Sequence, residues 1–235
     1  TNGTIKVLEY LKDKNLLPTS AIVAEPTCEL IFGDAIKVGR RGSINGYIEL
    51  HGKQGHAAYP EKSTNPIELI APILKKMAGV NLDDGDEYFA PSKLVVTDIR
   101  AGMQVTNVTP SKLNLMFNVR NSTKTTKDDV QNFVNNLFLG LQFTLKLNQG
   151  SYPFLTNKTS TIVTSLTQSI EKILNIKPKH STAGGTSDAR LFSAFGVNSV
   201  EFGVLNDKIH GIDESTTIDE VVVLKNIFND VIKGF

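Results

Sequence analysis

Residues 43 to about 149 place the tightest limit on what this chain can fold into. In GSINGYIELHG and LQFTLKLNQ apolar side chains alternate with polar ones, the period of a strand that buries one face. SKLVVTDIRAG and SKLNLMFNVR are β-rich runs joined by a turn region. Two segments within the stretch read as helices instead. NPIELIAPILKKMAG offers Asn65 as cap, Pro66 at the first helical position and Glu68 at the spacing of a capping box. TTKDDVQNFVNNLF carries acids in its first turn, where they favour the helix dipole. The order β-α-β-β-α-β is that of a ferredoxin-like, split-βαβ α+β domain.

The flanking chain has a different style. In TNGTIKVLEYLKDKNLLP the residues Ile5, Val7, Leu8 and Leu11 form an apolar stripe, and Asn15 followed by Pro18 stops the helix. SAIVAEP reads as a short buried strand, and LIFGDAIKVGRRG as a second strand leading into a basic turn. After the ferredoxin-like stretch a helix is expected from about Thr161 to Leu174, and the loop STAGGTSDAR leads into another helix. VNSVEFG reads as a strand. The last helix is capped by Thr217 with Glu220 and shows a stripe of Val221, Leu224, Ile227, Phe228 and Val231. The chain is therefore expected to build an α/β domain from residues 1–42 and 153–235, with residues 43–152 inserted as a separate domain.

Charge and cysteine content narrow the function classes. The net charge is +1 and the lysines are scattered among acids, so neither a nucleic-acid nor a membrane surface is expected. A lone cysteine, Cys28, excludes an internal disulfide framework and suits a reducing cytoplasm. With no signature around it, that thiol reads as a small buried hydrophobe. No apolar run approaches the length of a membrane span.

Four stretches of the flanking chain carry chemistry. Glu25 follows the strand of AIVAEPT directly, and carboxylates at strand ends of α/β sheets point to where such folds bind ligands; an ordinary strand-end acid has the same position. His210 in KIHGIDE lies in a loop beside Asp213 and Glu214, suited to metal ligation or acid–base work or simply to solvent. TAGGTSDAR offers backbone N–H groups to an anion, or is a plain Gly-Gly turn; it lacks both the P-loop lysine and the Rossmann spacing. Arg40 and Arg41 in GRRGS are a carboxylate clamp or solvated charge. In the inserted stretch, HGKQGHAAYP brings His51 and His56 close together, but Gly52 and Gly55 forbid a stable helix that would align them on a metal.

AEPT, GRRGS, HGKQGHAAYP, NPI, TNVTP, GGTSDAR and IHGIDE, in this order, resemble the dizinc aminoacylase/carboxypeptidase superfamily, most closely its members that cleave a succinyl amide. The resemblance implies a partial zinc-peptidase-like catalytic domain with an inserted ferredoxin-like lid, two zinc ions (cobalt a substitute), a small-molecule substrate and a cytoplasmic homodimer formed through the lid. It assigns Glu25 and His210 one zinc each. It gives Arg40, Ser43, Arg120, Gly185, Thr186 and Asn206 to the substrate's carboxylates and polar groups. It makes Tyr59 and Asn107 lid residues that reach a partner's site, and His56 an oxyanion donor delivered from one subunit to the other. The superfamily's other metal ligands and its general base precede the segment matching TNGTIKVLEYL. On this comparison the chain corresponds to the C-terminal two-thirds of the enzyme, and alone is expected to be inactive, to bind zinc weakly and to leave apolar faces uncovered. Deacetylases of ornithine, dipeptidases and carboxypeptidases of the same superfamily share the metal chemistry. A non-catalytic lid and dimerisation module would not need Glu25, His210 and GGTSDAR together.

Overall fold

The computed structural model describes residues 2–235. In chain order the elements are α1 (Asn2–Asp13), β1 (Ser20–Val23), β2 (Ala35–Lys37), β3 (Gly39–Arg40), β4 (Ser43–His51), β5 (Gly55–His56), α2 (Pro66–Met77), β6 (Lys93–Ala101), β7 (Val108–Thr109), β8 (Lys112–Arg120), α3 (Lys127–Leu137), β9 (Phe143–Ser151), β10 (Phe154–Leu155), α4 (Thr161–Leu174), β11 (Lys179–Ser181), α5 (Ala189–Ala194), β12 (Asn198–Glu201) and α6 (Ile218–Lys233). The chain divides into two compact units, one from Gly42 to Tyr152 and one formed by the chain up to Arg41 together with Pro153–Phe235.

The continuous unit is an antiparallel sheet in the order β6-β8-β4-β9, the strand order of a ferredoxin-like fold. Alternation does what the sequence requires of it. Ile44, Ile48 and Leu50 of β4 and Leu113, Leu115, Phe117 and Val119 of β8 are buried, and they share one core with Ile70, Ile73 and Met77 of α2 and Val130 and Val134 of α3. Gly46 pairs with Phe117 across the strands, and a Cβ at residue 46 would lie 2.0 Å from that ring. The glycine is thus the space into which the phenyl group packs.

Both helices of this unit start on local signals. The Asn65 side chain accepts from the Ile67 N–H at 3.1 Å, and Pro66 takes the first helical position. Glu68 departs from the expected capping box, because its carboxylate accepts from the Asn65 side-chain amide at 3.0 Å. Thr126 and Asp129 do form the reciprocal box at the start of α3. Between α2 and β6 the loop is stapled by Asp83, which accepts from the N–H groups of Gly85 and Ser92 and from the hydroxyls of Ser122 and Thr125. Burial pushes that carboxyl up, but these hydrogen bonds outweigh it and hold Asp83 well below the usual carboxylate range.

The discontinuous unit has a four-stranded sheet in the order β1-β12-β2-β11. β1 runs parallel to β12, and β11 parallel to β2. The two pairs meet antiparallel at Glu201 and Lys37. A separate pair, β3 with β10, joins Arg40 to Phe154. Ile36, Val38, Val200 and Phe202 pack with Ile162, Leu166 and Ile170 of α4 and Ile227 and Val231 of α6. Ile227 and Val231 are the deeply buried part of the stripe expected on the last helix, whereas Val221 is half exposed. Cys28 is fully buried, its thiol donating to the Gly203 carbonyl and accepting from the Gly33 N–H. His180 on β11 meets the Thr167 hydroxyl at 3.0 Å; burial, reinforced by Lys158 and Lys177, holds its ring below the usual imidazole range.

At the edge of this sheet β1 borders an apolar groove lined by Ile22, Ile162, Phe228, Val231, Ile232 and Phe235. No helix among the described residues is long and apolar enough to cross a membrane.

Candidate active site

Six of the residues singled out by the sequence converge in the discontinuous unit. Glu25, Arg40, Gly185, Thr186, Asn206 and His210 line one cleft of about 520 Å³. Each arrives there for a local reason. Glu25 follows β1 by two residues, and its backbone lies so close to Gly203 that a Cβ there would be 2.4 Å from the Glu25 carbonyl oxygen. Asn206 is pinned by its N–H to the Cys28 carbonyl at 3.0 Å. His210 has φ 57°, in the left-handed region where non-glycine residues are uncommon. Asp213, in the same loop, has φ 61°. Such conformations cost on the order of 1–3 kcal/mol and persist where the surroundings impose them. The surroundings here include Glu220, whose carboxylate accepts from the Leu205 N–H and from the Thr216 hydroxyl and so clasps both ends of the loop.

Two cations of the cleft are committed to internal carboxylates. Lys37 is 3 % exposed and its ammonium bonds Glu29 at 2.6 Å and Ser181 at 3.2 Å. The bond from Lys37, then its charge, lowers the Glu29 carboxyl below its ordinary range. Arg40, expected as a substrate clamp, faces Glu201, which is fully buried. The guanidinium Nε donates to both Glu201 oxygens at 3.1 and 3.0 Å, Nη2 donates to Oε2, and Nη1 donates to the Ala183 carbonyl at 2.6 Å. Removing one partner of a buried pair of this kind costs about 3–5 kcal/mol, since the other charge is left unpaired. With Lys37 and Arg40 neutralised in place, the carboxylates of Glu25 and Glu214 leave the cleft attractive to cations.

Glu25 and His210 offer a carboxylate oxygen and an imidazole nitrogen, donors that suit zinc-type metals. Among the described residues neither side chain is engaged in an ion pair or hydrogen bond. Among the same residues no group of three or more His, Cys, Asp or Glu side chains is arranged to hold a metal ion. The residues fit as part of a ligand set and do not close one.

The remaining candidates lie in the ferredoxin-like unit. His56, Tyr59 and Asn107 are neighbours: β5 pairs with β7, the Ala57 N–H donates to the Asn107 carbonyl at 2.9 Å, and the His56 and Tyr59 rings are 6.0 Å apart. The Ala58 N–H donates to His56 Nδ1 at 3.0 Å. A neutral His56 ring therefore carries its proton on Nε2, which is left as an exposed donor. The two glycines of HGKQGHAAYP serve close packing, since a Cβ at Gly52 or Gly55 would collide with Thr64 or Ser63. His51 ends β4, 3.7 Å from the Glu49 carboxylate. Ser43 and Arg120 lie at one end of the sheet, beside the pair Ile44 and Val119. Ser43 accepts from the Asn118 amide at 2.9 Å, and Arg120 is exposed.

Sequence reasoning missed Lys37, Glu29, Glu201, Ser187 and Glu220 as parts of this cleft and its supports. A signal was present for two of them. A charged residue inside AIKV, or at the end of NSVE in an otherwise apolar strand, must find a partner when the strand is buried.

Comparison with known proteins is consistent along the chain. Residues 38–139 match the peptidase dimerisation domain family. A succinyl-diaminopimelate desuccinylase from Aliarcobacter butzleri is 65 % identical over 235 residues, which are 100 % of this chain and 64 % of that protein. Among solved structures, a tripeptidase from Staphylococcus aureus aligns with TM-score 0.76 and 20 % identity, covering 99 % of this chain and 61 % of that one. An M20 family metallo-carboxypeptidase from Sulfolobus solfataricus aligns with TM-score 0.70 and 16 % identity, covering 97 % and 66 %.

Proposed function

We infer that the chain belongs to the desuccinylase branch of the M20 metallohydrolases and forms part of an enzyme that cleaves N-succinyl-L,L-diaminopimelate to succinate and L,L-diaminopimelate, a step towards lysine and cell-wall precursors. One observation carries this reading. Both residues that the superfamily resemblance assigns to metal, Glu25 and His210, and four of those it assigns to substrate, Arg40, Gly185, Thr186 and Asn206, line a single cleft although far apart in sequence, in a chain 65 % identical throughout to a desuccinylase. The chain spans 64 % of that relative's length, so the ligand set and the activity belong to the whole protein.

In this reading Glu25 and His210 each hold one of two zinc ions, and the bound metals supply Lewis acidity towards the amide. The chain's own residues bind and orient. Gly185 and Thr186 present backbone and hydroxyl groups to the substrate, and Asn206 contributes its amide from a loop fixed at both ends. Arg40 keeps two of its five N–H donors free for a carboxylate after serving Glu201 and Ala183. His56 donates from Nε2 to the oxyanion that forms at the amide carbonyl. Ser43, Tyr59, Asn107 and Arg120 complete substrate contacts from the lid, which also joins two copies into a homodimer.

The test is hydrolysis by the intact protein with added zinc or cobalt. Rapid release of succinate from N-succinyl-L,L-diaminopimelate, with slower release of acetate from N-acetylornithine, is the expected result. The opposite preference would move the chain to the deacetylases.

A further inference from the structure

Glu201 does not line the cleft, yet it is fully buried directly behind two residues that do, Arg40 and Ser187. It ends β12, is 0 % exposed, and collects three donors: Arg40 through Nε and Nη2, and the Ser187 hydroxyl. Both of those partners lead to the same loop. Ser187 closes it, and Arg40 Nη1 holds the Ala183 carbonyl that opens it. Between these anchors, Gly184 has φ +104° and sits against the guanidinium, so that a Cβ there would be 2.3 Å from Arg40 Nη1. The loop is therefore wrapped around a guanidinium that a buried carboxylate holds still. The whole loop lines the cleft and all of it but Ser187 is exposed, Gly185 and Thr186 lying at its middle between the two anchors.

We propose that Glu201 is a positioning residue for this cleft: by fixing Arg40 and Ser187 it holds loop 183–187 in one conformation, so that Gly185 and Thr186 are set to receive the substrate's carboxylate end. A preset loop binds without first being ordered, which favours affinity. The loop would otherwise be a glycine-rich segment with many accessible conformations. The role rests on the function proposed above only for the identity of the substrate; the ordering of the loop does not depend on it.

The experiment replaces Glu201→Gln in the intact protein, preserving shape and removing charge, and reads two quantities. Cleavage within 183–187 by a nonspecific protease at low concentration is expected to speed up about tenfold or more, the scale of losing charge-assisted hydrogen bonds, with the rest of the unit unchanged. KM for N-succinyl-L,L-diaminopimelate is expected to rise by a similar factor with kcat nearly kept, the pattern of lost ground-state binding. Ser187→Ala removes a single donor and should move both readouts the same way by less, and Ser187→Thr should restore them. This pair decides the matter if Glu201→Gln does not fold. Cleavage within 183–187 at the wild-type rate in folded Glu201→Gln or Ser187→Ala protein overturns the proposal. A wild-type protein that does not cleave the succinyl amide overturns the functional reading instead, and the proteolysis comparison still decides this one.

Discussion

Both units of this molecule have an apolar core, and among the described residues one of them also buries charged side chains. The ferredoxin-like unit is one continuous stretch of chain whose core is apolar side chains at period two against two capped helices. The other unit is assembled from two stretches separated by more than a hundred residues, and it buries charge: Lys37, which reaches the exposed Glu29, and the fully internal pair of Arg40 with Glu201. Apolar packing is non-directional and tolerates repacking, whereas a buried ion pair demands that its exact partners be present. Buried charge is thus confined, among the described residues, to the unit that also carries the candidate metal and substrate cleft.

The sharpest way to break this comparison is in the apolar unit. Phe117→Ala empties the space over Gly46 and should cost about 3–5 kcal/mol, measured by denaturant unfolding with amide exchange resolved by unit. Equal loss of protection in both units would show that they are not separately stabilised. Next in size, if the proposed reaction is the right one, His56→Ala in the intact protein should lower kcat about 10²–10³-fold with metal content unchanged. Loss of metal instead would return His56 to the ligand set.

Asp83→Ala should destabilise the apolar unit by about 1–3 kcal/mol, the cost of leaving buried donors without an acceptor. The wild-type contribution has a defined pH window. Because the folded carboxyl titrates below its unfolded value, its contribution is full above about pH 4 and is lost as pH falls further. The smallest effect is at His180. Its ring is held neutral, so its contribution is full above about pH 6.5 and declines as the ring protonates below that. Mild acid, from pH 7 to 5, should therefore loosen the discontinuous unit while the ferredoxin-like unit is unaffected. His180→Gln should flatten that response, as read by amide exchange of β11 and α4.

The same division governs what could be read from sequence. In the ferredoxin-like unit, Asn65-Pro66 and the first-turn acids of TTKDDVQNFVNNLF mark helix starts, and alternating runs mark strands, because each signal lies within a few residues of the structure it forms. Its least legible part is the Asp83 staple, whose donors at 92, 122 and 125 come from distant positions. In the other unit β11 escaped notice. KHS has no strand pattern, and it is extended because β2 offers it parallel backbone partners. The cleft was half legible: Glu25, His210 and the glycine loop stand out by residue type, and Arg40 by its place in GRRGS. That the Arg40 guanidinium has an internal carboxylate was not, since Glu201 is 161 positions away.

The pairing at the crossover has a kinetic consequence. In one unit Arg40 pairs with Phe154, and in the other Ser43 pairs with Ser151, so each unit has its own two crossover ends side by side. If residues 42–152 collapse first, they convert a long loop closure into a short one, and the two halves of the discontinuous unit meet at little further entropic expense. The inserted unit would then act as an internal template for the assembly of its host. By the same geometry, a few-residue link from Arg41 to Pro153 should suffice to bypass it, and circular permutants opened within 42–152 should lose speed of folding before they lose the fold.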